Sequence, residues 1–179
     1  LQAGRVDLLV ASQPITDEAR RQVEFTAPYH HLAPRFVGRD RARPIEPRPT
    51  AARGLRIGVR TGTAHAAYLA ALYAPAGAVV VAAPTEADAL TALLAGRTDV
   101  VFGDTLTLFD LLDRDFTGKG LHFVGKPVDS VRHFGAGAGI AFRRDDADLG
   151  RAVDQALLDL DHDGTLDRLV GRWFPFAIR

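Results

Sequence analysis

"LLAGRTDVVFGDT", residues 93–105, has a second copy in the chain, "LQAGRVDLLVASQ", residues 1–13. In both, leucine and alanine lead into glycine and arginine, one residue intervenes, and an aspartate opens a run of three apolar residues. A glycine in left-handed backbone ends a helix, and an apolar triplet straight after it starts a buried strand. Each copy therefore reads as an αβ joint. Before the second copy the helix is visible, with Leu90, Leu93 and Leu94 on one face after Thr85 and Glu86. Before the first copy almost nothing precedes the joint. Two joints of one design predict two similar α/β lobes. In open α/β sheets ligands gather beyond the carboxyl ends of strands. The matching strand ends are Ser12, with Gln13 beside it, and Asp104, and Ser12 and Asp104 are expected to face each other across a cleft.

Outward from the second copy, the pattern alternates. Strands are predicted over residues 55–59, 78–82, 99–102 and 121–124, and helices from about Thr63 to Tyr73, up to Gly96, and from Asp104 to about Asp113. Such alternation argues for a parallel, doubly wound sheet. Outward from the first copy, Thr16 caps a short helical turn in "ITDEARRQVEF", and residues 25–38 run extended, broken by Pro28 and Pro34. "RDRARPIEPRPTAARG", rich in Pro and Arg, reads as a surface connection. The glycine-rich "HFGAGAGIAF" suits a crossing between lobes or a close backbone approach. Two closing helices carry apolar stripes, Leu149, Ala152, Val153, Ala156, Leu157 and Leu160 on one, Leu166, Leu169, Val170, Trp173 and Phe174 on the other. Both stripes are expected to pack into the core.

The bulk composition narrows the partners. With 47% hydrophobic residues in 179, the chain buries a sizeable core, as one domain or two small lobes. Twenty-two basic and 22 acidic residues cancel, which argues against electrostatic capture of nucleic acid or of an anionic membrane. No apolar run approaches the roughly 20 residues that a bilayer span requires, so no direct membrane insertion is expected. The absence of cysteine excludes disulfides, thiolate catalysis and Cys-ligated zinc. His30 and His31 are adjacent, and neighbours on an extended strand point to opposite faces, so they do not share a metal ion. No metal and no cofactor are expected.

Three stretches, "AGRVDLLVASQPITDEARRQVEFTAPY", "LRIGVRTGTAHAAYLA" and "LLAGRTDVVFGD", together with the tail from "FGAGAGIAF" to "GRWF", resemble the extracytoplasmic solute-binding proteins of polar amino acid uptake systems, the lysine/arginine/ornithine and histidine binders in particular. The resemblance runs collinearly over nearly the whole chain. It implies an α/β, two-lobed clamshell of the type II periplasmic-binding-protein kind, with doubly wound sheets closing around one small molecule. Residues 1–33 and 131–179 would form lobe 1 with the hinge strands and C-terminal helices, and residues 34–130 lobe 2. The family carries the front of lobe 1 upstream of the first joint, so lobe 1 is expected to be incomplete here, and the chain N-terminally truncated with its export signal outside it. A periplasmic or extracytoplasmic location and a membrane permease of an ABC transporter as partner follow from the same resemblance.

The resemblance also implies a site. Asp104 stands where the family grips an α-ammonium group, and a carboxylate at a helix start makes strong charge-assisted bonds to a cation. The same residue is a helix cap for "DTLTLFDLL", and the two roles are compatible. The backbone N–H groups of Gly62, Thr63 and Ala64 can cradle an anionic group, although a strand, a Gly turn and a helix also make an ordinary βα loop. His65 stands at a polar reader position or on a solvent-exposed helix face. The family's carboxylate clamp is altered: Pro14 replaces a hydroxyl residue and Ala19 an arginine. Arg20 is one place late, a rotation of about 100°, and substitutes only if the turn is rewound; Arg21 is a weaker candidate. Arg60, before the "TGT" turn, is either the missing positive charge or a surface arginine. Tyr29 is expected near the hinge.

Four functions compete. A binding protein delivers an amino acid, or a related cationic or zwitterionic solute, to a permease and performs no chemistry. A dehydratase on the same fold, acting on prephenate or arogenate, needs a general acid, for which His65 and Asp104 are the candidates. A sensory ligand-binding module and a remnant with no working site complete the set.

Overall fold

The computed structural model describes residues 1–11, 14–31, 33–40, 46 and 48–174. Two compact units form, Leu1–Leu32 with Phe134–Arg179, and Ala33–His133. In chain order the strands are β1 (Leu8–Leu9), β2 (Glu24–Phe25), β3 (Arg35–Arg39), β4 (Arg56–Arg60), β5 (Val79–Ala83), β6 (Val100–Gly103), β7 (Leu121–Val124) and β8 (Ala141–Phe142). The helices are α1 (Asp17–Arg20), α2 (Ala64–Tyr68), α3 (Glu86–Leu94), α4 (Thr105–Arg114), α5 (Val131–Phe134), α6 (Ala147–His162) and α7 (Thr165–Trp173). After α2 the chain continues helically over Leu69–Tyr73 as a wider π turn.

The 33–133 unit is a five-stranded sheet in the order β5-β4-β6-β3-β7. Alternate residues of its central strands point to opposite faces. Val37 and Val101 pack with Leu90, Leu93 and Leu108 of α3 and α4, while Phe36 and Phe102, with ring centroids 4.6 Å apart, meet Tyr68 and Tyr73 on the other side. β4 runs parallel to β5 and β6, as expected, but β3 is antiparallel to both β6 and β7. The wholly parallel sheet is thus corrected to a mixed one. Parallel neighbours are joined by a helical crossover, and β3, the first strand of this sheet in chain order, follows no earlier strand of the sheet that could set its direction that way.

The duplicated phrase has a structural counterpart in each unit. Gly4 and Gly96 both take left-handed backbone, φ 66° and 69°, and both close a turn onto the leucine three residues before, Leu1 and Leu93. The aspartate just before each strand then pairs with an arginine in the neighbouring strand or directly after it. Asp99 accepts from Arg56 N at 2.8 Å, Nη2 at 2.7 Å and Nε at 3.2 Å. Asp7 pairs with Arg143 Nη2 at 2.6 Å. These bonds, led by the Arg56 side chain, hold the Asp99 carboxyl below its usual range.

The other unit has a smaller sheet, β1-β8-β2, antiparallel throughout. Its core is Ile15, Phe25 and Ala141, with Leu1, Ala19 and Val23 packed against it. The glycine-rich stretch makes a close backbone approach: Ala138 exchanges bonds with His30 and Tyr29, and Gly137 accepts from Ile15. Two expectations are corrected here. The first apolar triplet is not a buried strand, since Leu9 is 41% and Val10 64% exposed. Nor do the stripes of α6 and α7 enter a core, because neither helix buries an apolar side chain fully and Trp173 is 70% exposed. The cause is the size of the sheet. Strands of two residues, with β1 at an edge, offer too little surface to cover two amphipathic helices.

One close contact fixes α6. A Cβ added at Gly150 would lie 2.2 Å from Cζ of Phe142 and within 2.8 Å of two further ring atoms. Gly150→Ala is accordingly expected to destabilise this unit by about 2 kcal/mol, despite the better helix propensity of alanine. Urea unfolding monitored by circular dichroism measures it, and an unchanged or raised midpoint would contradict the packing described.

Candidate ligand-binding site

β4, β5 and β6 are parallel, so their carboxyl ends share one edge of the 33–133 sheet. That edge carries Arg60, the turn Thr61–Thr63, Glu86 at the start of α3, and Asp104 after β6. Thr61 N donates to Ala83 O at 2.9 Å, which ties the turn to the end of β5. Thr63 caps α2 by accepting from Ala66 N at 3.2 Å, and its hydroxyl donates to Arg60 O at 2.8 Å. The N–H groups of Gly62, Thr63 and Ala64 meet no backbone carbonyl among the described residues.

Asp104 is the cap of α4. Its Oδ1 accepts from Thr107 N and from Thr107 Oγ1, both at 2.8 Å. Both bonds fall on the same oxygen, so capping leaves Oδ2 for a cation. His65 is partly buried and lies edge-on to Phe102, with centroids 5.8 Å apart. This corrects the reading of a solvent-exposed helix histidine. Burial pushes its imidazole below the ordinary range, and the charges of Asp104 and then Glu86 partly oppose that.

A pH dependence follows from this shift. Unfolded, the ring takes a proton near pH 6.5; folded, it resists until the pH is lower. Stability is therefore lost as the pH falls below about 6.5, because the unfolded chain binds more protons. Thermal unfolding between pH 7 and 5 should show a steeper decline for the wild type than for His65→Gln. Parallel declines would remove the claim.

Glu86 went unnoticed in the sequence as a site residue. An acid in the first turn of a helix has a ready explanation in the helix dipole, and nothing in the spacing shows that this one is only 7% exposed. Its Oε2 lies 3.4 Å from Nη1 of Arg60, whose side chain is half exposed.

The remaining candidates lie in the other unit. Ser12 and Gln13 fall outside the described residues. Around α1, Arg20 N donates to Thr16 O at 2.9 Å, the bond of a regular turn. The turn is not rewound: Ala19 packs inward on the small core while Arg20 is exposed. Arg21 pairs at 3.5 Å with Glu18 on the surface. Tyr29 donates to Ala11 O at 3.0 Å and lines a small cavity of about 70 Å³ beside Asp154 and Leu157.

Residues 1–176 match the model of the bacterial extracellular solute-binding proteins, family 3. The chain belongs to that family. Among family 3 relatives, the L-arginine-binding protein of Pseudomonas aeruginosa is 33% identical over 178 residues, 99% of this chain and 68% of that protein. The lysine/arginine/ornithine-binding periplasmic protein of Escherichia coli is 29% identical over the same shares. The structure of an ancestral arginine-binding protein bound to arginine superposes with a TM-score of 0.70 at 26% identity, covering 97% of this chain and 74% of that one. The fold class is thus that of the family 3 binders, and the family is one of extracellular solute-binding proteins rather than enzymes. The dehydratase alternative finds no support there. Among the described residues, no helix is long and apolar enough to cross a membrane.

Proposed function

We propose that this protein is the solute receptor of an ABC-type uptake system and takes a basic L-amino acid, of which arginine is the first to test. It works outside the cytoplasm, in the periplasm, and hands its ligand to a membrane permease. The observation that carries the reading is Asp104: an acid at the carboxyl end of β6 that caps α4 through one oxygen only. The second oxygen receives the α-ammonium group, and the N–H groups at Gly62–Ala64 are donors for an anionic group of the same ligand. Relatives named for binding arginine, lysine, ornithine and histidine support the choice of ligand class. No group in the protein is consumed, because binding and release are the whole task. The test is a thermal-shift and calorimetric screen of arginine, lysine, ornithine and histidine. A ligand at 100 times its Kd adds about 2.7 kcal/mol to stability. Arginine is expected to raise Tm, and an absence of stabilisation by every amino acid in the screen would reject the proposal.

A further inference from the structure

Glu86 raises a question that the binding of an ammonium group does not answer. A carboxylate is almost never buried unless paired, and this one is turned into the unit, so that a Cβ on Gly103 would lie 3.8 Å from its Cγ. It therefore sits beneath the end of β6, one residue before Asp104. An acid serving only the helix dipole would stand in water, and the dipole does not explain its burial. Among the described residues its hydrogen-bonded partner is Arg60, at 3.4 Å. A guanidinium has five N–H donors, so this contact leaves most of the fork available, and the Arg60 side chain is 51% exposed. The backbone beneath it is also fixed, since Arg60 O accepts from Thr63 Oγ1 at 2.8 Å. Arg60 and Asp104 stand at the ends of the neighbouring strands β4 and β6, and Glu86 reaches both ends, through Arg60 and beneath Gly103, so the three form one cluster.

We propose that Glu86 is a positioning residue that holds the Arg60 guanidinium at the strand-end rim, and that Arg60 there receives the carboxylate of an amino acid whose ammonium group is bound by Asp104. This rests on the proposed function and adds the carboxylate receptor to it. An anion and a cation on one rim match the two ends of a zwitterion, and a planar fork matches a carboxylate with two parallel bonds. A guanidinium already held in place loses less side-chain freedom on binding than one on a free surface chain. Glu86 thus acts on the ligand only through Arg60.

The test compares two ligands that differ in the carboxylate alone, L-arginine and its decarboxylated form agmatine, by titration calorimetry. Arg60→Ala is expected to weaken arginine binding about tenfold or more, the scale of a lost charge-assisted bond, and to cost agmatine, which has no carboxylate to receive, less than that. Glu86→Gln keeps the shape, removes the charge and should weaken arginine in the same selective way, by a smaller factor. Arg60→Ala alters a half-exposed side chain and so decides the matter even where Glu86→Gln disturbs folding. Equal losses for both ligands, or no loss for arginine in Arg60→Ala, would overturn the assignment while leaving the proposed function standing. A wild-type protein that binds no amino acid rejects both.

Discussion

Asp104→Ala is expected to weaken amino-acid binding about a hundredfold or more. Removing one partner of a desolvated charge pair costs on the order of 3 kcal/mol, and tenfold in affinity corresponds to about 1.4 kcal/mol. The substitution also removes the cap of α4, so a stability loss of about 1 kcal/mol accompanies it. Asp104→Asn separates the two roles. Asparagine caps a helix about as well as aspartate but carries no charge for an ammonium group. It should therefore keep the wild-type Tm in the absence of ligand and still lose most of the affinity. Titration of arginine into both variants, beside unliganded melting curves, decides the point. Full affinity in Asp104→Asn would show that this residue is a cap and nothing more.

Phe36→Ala is expected to be the most destabilising single truncation in the 33–133 unit, at about 4 kcal/mol. Phe36 is fully buried on β3, between β6 and β7, and contacts Phe102 and Tyr73. Its loss leaves a cavity that flanking strands cannot close, because each is bound to β3 by its own ladder. Phe102 is also the ring against which His65 rests. Denaturant unfolding of Phe36→Ala should therefore show a much lower midpoint, with weaker ligand binding at temperatures where the variant is still folded. A loss below about 1 kcal/mol would mean that this aromatic cluster is not the core of the unit.

The joint at residues 93–105 was legible because its signals are local: a left-handed glycine, a polar residue before an apolar run, and a cap at Asp104. The helix–strand alternation of the 33–133 unit could be read for the same reason. β3 escaped because Phe36 and Val37 are flanked by Arg35, Gly38 and Arg39, a pattern without clear alternation, and a strand's direction depends on its partners. The stripes of α6 and α7 were read correctly as amphipathic, yet burial depends on the area of the surface opposite, which no periodicity reports. Asp104 and the turn at Gly62 could be found from strand ends alone. Glu86 could not, because a buried and a solvated acid look alike in sequence, and its pairing with Arg60 spans two separate strand–helix joints.

The Asp99–Arg56 tie binds β6 to β4 where both strands begin, whereas Asp104 and Arg60 stand where the same strands finish. Four residues at about 3.3 Å each put roughly 13 Å between the fastening and the edge proposed for recognition. Exchanges of Asp104 or Arg60 at the far end therefore leave the bonds that fasten β6 to β4 at their near end untouched.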